Sequence, residues 1–132
     1  MKTYEIDGER FSTVDGFFEE IGRVMNLVPR GHNLDAFNDI LRGGFGTPEE
    51  GFTIVWKNHA ISKRRLGYEE TVRRLDLRLK RCHPANKGPI SMELGNAKAQ
   101  RGETAFDWLV EIIRVHGNGG TEEQDRVELI LE

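Results

Sequence analysis

The run Phe52-Thr53-Ile54-Val55-Trp56, FTIVW, decides the fold class of this chain. Its residues are all β-branched or aromatic, which favours an extended strand. Because the run is almost continuously apolar, it is typical of a strand that is buried on both faces. The segment therefore predicts an interior strand, and the elements on either side of it decide which kind of sheet it joins.

Two shorter patterns predict further strands near the two ends of the sequence. Residues 3–6 alternate in polarity and are followed by the turn signal Asp7-Gly8, and residues 126–132 carry Val127, Leu129 and Leu131 at every second position. Helical patterns separate the three strands, so the connections are crossovers. We therefore expect an α/β fold with a three-stranded parallel β-sheet flanked by α-helices.

Two helices are predicted between the first strand and FTIVW. Ser12, with Asp15 three residues later, is a candidate N-cap for a helix that ends near Asn26, because Pro29 disfavours helical geometry just before it. Asn33 is a candidate N-cap for a second helix that ends at Gly43-Gly44. The predicted inward residues of the two helices are Val14, Phe17, Phe18, Ile21, Val24 and Met25, and then Leu34, Phe37, Ile40 and Leu41.

The segment after FTIVW is predicted to be largely helical. Ser62 is a candidate cap for one long helix that ends at His83-Pro84, with an apolar seam that includes Cys82 as a core cysteine. Residues 84–101 fit a loop or a short helix equally well, and Thr104 opens a last helix. The seam consists of Tyr68, Val72, Leu75, Leu79 and Cys82.

Composition places the chain among globular proteins with one core. It has 132 residues, of which 37% are hydrophobic and 31% charged, so we expect a single domain over residues 1–132. No apolar run approaches the roughly 20 residues of a membrane helix, and the start is too polar for a signal peptide, so we expect a cytoplasmic protein. One cysteine and four scattered histidines predict no metal, and the lack of a phosphate-binding loop or a convergent acid–base set predicts no cofactor and no enzyme activity.

The net charge of -3 hides a strong asymmetry along the chain. Residues 1–62 sum to -4, residues 63–101 to +7 and residues 102–132 to -6. One interpretation of the basic block is a packed helix whose outer arginines are solvated, and the alternative is contact with an acidic partner or a nucleic acid. The arginines in question are Arg64, Arg65, Arg73, Arg74, Arg78 and Arg81.

Two aspartates on the second predicted helix need an explanation. Asp35 and Asp39 are one turn apart and face outward, and Asp35 is favoured by the helix dipole by about 0.3–1 kcal/mol because it lies in the first turn. Asp39 is not favoured in this way, it repels Asp35 by a few tenths of a kcal/mol, and only Arg42 lies near it in sequence. A solvated acid pair and a binding site are both compatible with these residues.

The same stretch, GHNLDAFNDIL at residues 31–41, resembles the segment Tyr-Gly-x-Asn-Leu-Asp-Ala-Leu-x-Asp-x-Leu of the barstar family, intracellular inhibitors of the ribonuclease barnase. The order of elements over most of residues 1–60 and 103–132 is also similar. The resemblance implies a three-stranded parallel sheet, no catalysis, and inhibition by occlusion of a nuclease active site. It implies that Asp39 stands where a substrate phosphate would bind, with Asp35, Gly31 and Asn33 beside it.

The sequence also departs from the family pattern. The family places aromatic residues just before the glycine and on the binding helix, where this chain has Pro29, Arg30 and Asn38. Aromatic residues often anchor interfaces, so we expect a retuned surface, with Asn38 and Arg30 in it, and a partner other than barnase. The basic region, residues 63–102, is also longer than its family counterpart.

The resulting prediction is a non-catalytic bacterial immunity protein that blocks a cognate basic ribonuclease or nuclease toxin. Its predicted partner-binding residues are Asp35, Asp39, Gly31, Asn33, Asn38 and Arg30. The alternative is a nucleic-acid-binding or regulatory module that acts through the basic helix at residues 63–82.

Overall fold

Three parallel strands form the sheet at the centre of the protein. The structure, a computed structural model, describes residues 2–27, 33–43 and 50–132. Strand β2 (Phe52–Lys57) lies between β1 (Lys2–Asp7) and β3 (Val127–Leu131), and Ile54 pairs with Tyr4 on one side and Leu129 on the other. The predicted α/β class with a three-stranded parallel sheet is confirmed.

The central strand is buried on both faces, as its composition predicted. Phe52, Ile54, Val55 and Trp56 are all buried, and Trp56 is fully enclosed. The Trp56 indole Nε1–H donates a hydrogen bond to Ser62 Oγ at 3.0 Å, so its only polar atom is satisfied inside the core. Aromatic rings from several elements pack around this position, which anchors the helices to the sheet; they belong to Phe11, Phe17 and Phe106.

Helix α1 (Val14–Met25) begins one residue later than the sequence suggested. The N-cap is Thr13, whose Oγ1 accepts a hydrogen bond from Gly16 N–H at 3.0 Å, so the prediction of Ser12 is wrong. Thr13 has the extended backbone of an N-cap, whereas the carboxylate of Asp15 pairs with arginines of another helix and forms no capping box. The predicted end at Asn26 is confirmed, and this residue closes the helix in the left-handed conformation.

The predicted single long helix after β2 is wrong, because two helices occupy this segment. Helix α3 (His59–Arg65) contains Ser62 in its interior. The Ser62 hydroxyl accepts the hydrogen bond from the Trp56 indole and does not cap a helix. Leu66 is fully buried in the main core, and the chain turns there so that Gly67 can begin helix α4 (Tyr68–Arg81) in an extended conformation. Burial of Leu66 therefore breaks a pattern that looks continuous in sequence.

A second small core lies beneath the basic region. Residues 84–101, compatible with a loop or a short helix, form a short 3₁₀ turn and then the twelve-residue helix α5 (Lys87–Lys98). Leu75 of α4 packs there against Ile90, Leu94 and Ala97 of α5. The last helix, α6 (Ala105–Val115), begins at a capping box in which Thr104 and Asp107 exchange hydrogen bonds, which confirms Thr104 as its start.

Several arginines of the basic block bind the chain itself. Arg74 is only 17% exposed and donates to Asp15 Oδ1 at 2.9 Å, so the prediction that it is solvated is wrong. The outer parts of Arg65 and Arg73 are exposed, but their guanidinium groups donate to the carbonyls of Glu9 and Phe11 and to the Glu70 carboxylate, respectively. These three arginines, which the sequence analysis placed on a solvated helix face, therefore connect α3 and α4 to the rest of the fold.

Over the part of the chain that the structure describes, no helix has the length and apolar character needed to cross a membrane.

Candidate partner-binding site on the acidic helix

Helix α2 (Leu34–Arg42) is held firmly along one face. Phe37, Ile40 and Leu41 are buried, and the Phe37 ring meets Phe17 of α1 edge to face with 5.3 Å between ring centres. At its start, Asn33 Oδ1 accepts a hydrogen bond from Ala36 N–H at 2.8 Å, which confirms Asn33 as the N-cap. These contacts fix the rotation of the helix, and its opposite face is therefore presented in one orientation.

The outward face carries the two aspartates. Asp35 is exposed and forms no ion pair or side-chain hydrogen bond with the described residues. The Asp39 side chain is 56% exposed, and among the described residues its ion-pair partner is Arg42, with 3.9 Å between Oδ1 and Nη1. Arg42 lies closer to Glu122, at 3.3 Å, so it is shared between two carboxylates. The acid pair is thus left largely uncompensated by the described residues.

Asn38 lies between the two aspartates in sequence, and its half-buried side chain contacts His116 at the end of α6. Its Oδ1 is 2.6 Å from Nε2 of His116, and Nδ1 of the same ring is 2.6 Å from Oδ2 of Asp125. Two oxygen acceptors match a doubly protonated ring, whereas a neutral ring requires the Asn38 amide to be turned so that its nitrogen faces Nε2. In either form, Asn38 connects α2 to the end of α6 and to the segment that leads into β3.

Sequence reasoning missed His116. It is one of the four histidines scattered along the sequence, and the structure buries it fully. Its backbone carbonyl also accepts a hydrogen bond from Val127 N–H at 2.9 Å, at the start of β3. No local sequence signal connects residues 38, 116 and 125, because the contact depends on how three distant segments pack.

The other predicted site residues are distributed differently. Asn33 is exposed beside Asp35, where its side chain caps the helix. Gly31 and Arg30 lie outside the described residues.

Further carboxylates surround the start of α2. Leu34 lines a shallow groove of about 370 Å³ together with Glu93, Glu103 and Glu111. Burial and the neighbouring Glu111 carboxylate raise the pKa of Glu103, which indicates how closely the negative charges are placed. Carboxylates from more than one helix therefore lie in the groove that reaches Leu34, together with the cationic side chain of Arg78.

The described residues hold no group of three or more histidine, cysteine, aspartate or glutamate side chains arranged to bind a metal ion. Cys82 is partly buried at the end of α4 and contacts the Leu79 carbonyl, with 3.4 Å between Sγ and the oxygen.

Fold and site together define a small three-stranded α/β domain that presents an acidic helix. Residues 1–83 match the family model described as "Barstar (barnase inhibitor)", so this chain belongs to the barstar family. No curated protein matches the chain. The family match ends just before α5, so α5, α6 and β3 lie beyond the matched residues.

Proposed function

We propose that this chain is a non-catalytic inhibitor that binds and blocks the active site of a cognate basic ribonuclease or nuclease toxin through α2. The observation that carries the proposal is the exposed pair Asp35 and Asp39, one helical turn apart on a helix whose other face is locked into the core. Membership of a family described by inhibition of barnase supports the same function.

The proposed mechanism is electrostatic imitation of nucleic acid. A nuclease active site gathers cationic side chains to bind phosphate groups, and two carboxylates on a rigid helix offer those cations similar partners. Asp39 is the anchor and Asp35 the second charge, with Gly31, Asn33, Asn38 and Arg30 around them. Binding relieves the repulsion between the two carboxylates, and the negative surface accelerates encounter with a basic partner.

The proposed setting is the cytoplasm of a bacterial cell that makes the nuclease, where a stoichiometric inhibitor acts as an immunity protein. The alternative, a nucleic-acid-binding module on the basic helix, has weaker support. Arg65, Arg73 and Arg74, which would bind phosphates in that alternative, bind the chain itself. Much of the positive charge is thereby used to hold the fold together.

The test is capture of the partner followed by an activity assay. The wild-type chain, an Asp35→Ala/Asp39→Ala variant and a Glu19→Ala control are immobilised and exposed to extract of the native cell. Glu19 is an exposed acid on α1, so its removal leaves α2 unchanged. We expect the wild-type chain and the control to retain a protein with nuclease activity that each purified chain inhibits at a 1:1 ratio, and the double variant to retain none. No retained nuclease, or equal retention by the double variant, would contradict the proposal.

A further inference from the structure

A wide groove runs along one side of the packed pair α4 and α5 and reaches the start of the acidic helix. Its volume is about 740 Å³, and Asn33, the N-cap of α2, is one of the residues that line it. One wall carries three arginines of α4 at helical spacing, and the other wall includes Ile90 and Glu93 of α5. The arginines are Arg74, Arg78 and Arg81.

Two of these arginines are available to a partner. The cations of α4 comprise Arg73, Arg74, Arg78, Lys80 and Arg81. Arg73 binds Glu70, Arg74 binds Asp15, and Lys80 lies 3.0 Å from Asp76. Arg78 and Arg81 are exposed and form no ion pair or side-chain hydrogen bond within the described residues. The two cations of α4 that have no partner among the described residues therefore both line the groove.

The position of the groove connects it to the inhibitory surface. Asn33 lines it, and Asp35 follows two residues later on the exposed side of α2. The groove thus begins two residues from Asp35, within reach of a protein that covers Asp35 and Asp39. Resting on the proposed function, we propose that Arg78 and Arg81 receive an acidic segment of the same nuclease, from the rim of its active-site cleft.

The charges in the groove favour an acidic protein segment over nucleic acid. Glu93 lies on the opposite wall, and Asp35 follows Asn33 by two residues, whereas Asp15, which also lines the groove, is paired with Arg74. A phosphate backbone carries charge at every step, so a strand in the groove would pass these carboxylates and be repelled. One or two aspartate or glutamate side chains can instead meet the two arginines alone, through bidentate hydrogen bonds that arginine is suited to form.

Binding of an acidic segment by Arg78 and Arg81 would make this groove a determinant of which nuclease is bound. The proposed surface alternates in sign, with carboxylates on α2 for the cationic cleft and arginines on α4 for an acidic rim. A nuclease with a basic rim would meet Arg78 and Arg81 with like charge, which is a direct way of rejecting a wrong partner.

The experiment measures binding of the nuclease recovered with the immobilised chain. Association and dissociation rates are compared for wild type, Arg78→Glu/Arg81→Glu, and a control, Lys63→Glu/Arg64→Glu, which changes two exposed cations of α3 by the same total charge. Circular dichroism and denaturant unfolding verify that each variant folds.

The direction of the change in the dissociation rate distinguishes a contact of Arg78 and Arg81 with the nuclease from an effect of net charge. Both double variants are more negative than wild type, which by itself speeds association with a basic nuclease. We expect the control to dissociate at the wild-type rate, and Arg78→Glu/Arg81→Glu to dissociate about ten-fold faster or more, because a charge contact inside the interface becomes repulsive. Equal dissociation of all three chains would overturn the proposal.

Two further outcomes are distinguishable. If Asp35→Ala/Asp39→Ala abolishes inhibition while Arg78→Glu/Arg81→Glu behaves as wild type, the proposed function stands and the groove contact is overturned. If the aspartate variant inhibits normally, the proposed function and the groove contact both fail. A mobility shift with a 30-nucleotide RNA completes the test, since RNA binding lost in Arg78→Glu/Arg81→Glu with unchanged nuclease binding would assign the groove to nucleic acid instead.

Discussion

The imidazole Nε2 of His116 lies 2.6 Å from the amide oxygen of Asn38, and this contact joins the acidic helix to the far end of the last helix. Asn38 is next to Asp39 in the chain, so the contact holds the turn that presents the proposed anchor. The other ring nitrogen meets the Asp125 carboxylate, and the ring is fully buried. One side chain thus connects α2, α6 and the segment before β3.

We predict that His116→Leu lowers the free energy of unfolding by about 1–3 kcal/mol, because it removes the hydrogen-bond partner of two partly buried polar side chains, Asn38 and Asp125. Denaturant unfolding measures the change, and His83→Leu is the surface control, because this exposed histidine accepts one hydrogen bond, from Ala85 N–H, at the surface. A double-mutant cycle with Asn38→Ala should give a coupling of about 1 kcal/mol or more. Strictly additive effects would show that the contact contributes no stability.

A second prediction concerns Glu70, whose buried carboxylate caps a helix from a distance. Its Oε2 accepts the backbone N–H of Val14, the first residue of α1, at 2.8 Å, and the same carboxylate pairs with Arg73. We expect Glu70→Ala to lower the free energy of unfolding by about 2 kcal/mol, since both a helix cap and a partly buried ion pair are lost. The adjacent exposed Glu69→Ala is the control and should stay within about 0.5 kcal/mol. Equal effects of the two substitutions would contradict this account.

The third prediction is a pH dependence at Glu20. Burial raises the pKa of Glu20, but hydrogen bonds from Arg23 and from Asp7 N–H, with the charge of Arg10, more than offset this, so the pKa is lowered from its usual 4.5. A lowered folded-state pKa stabilises the protein above the unfolded-state pKa, and that stabilisation disappears as the pH falls through the folded-state value.

Glu20→Gln should therefore lower the free energy of unfolding by about 2 kcal/mol at neutral pH. The difference from wild type should shrink as the pH falls below about 4.5, where the unfolded-state carboxyl becomes protonated. Unfolding curves from pH 7 to pH 3 measure this, with the exposed Glu19→Gln as control. A difference that is constant over this range would show that the charge of Glu20 is not what stabilises the fold.

Local chemistry made the sheet and most helix ends predictable. The strand FTIVW, the helix end near Asn26 ahead of Pro29, and the helix start at Thr104 depend on neighbouring residues alone, and all are confirmed. The single helix predicted across residues 62–82 is wrong. Leu66 is buried in the main core, and the chain turns there between α3 and α4. Tertiary burial outweighs local periodicity there.

The candidate site was predictable in part for the same reason. The outward placement of Asp35 and Asp39 follows from helical spacing, and the structure places both on the exposed face. The internal use of Arg74 and the burial of His116 arise from contacts between residues nearly 60 and 80 positions apart, with Asp15 and Asn38, respectively. Such contacts leave no pattern in a single sequence.

The most direct test of the central claim compares inhibition and folding in Asp39→Ala. Because the Asp39 side chain is 56% exposed, its removal should change the free energy of unfolding by no more than about 0.5 kcal/mol. Its loss should leave cationic groups of the nuclease unpaired in the complex, so the inhibition constant for the captured nuclease should rise about 100-fold or more. Inhibition equal to wild type by a normally folded variant would contradict the claim.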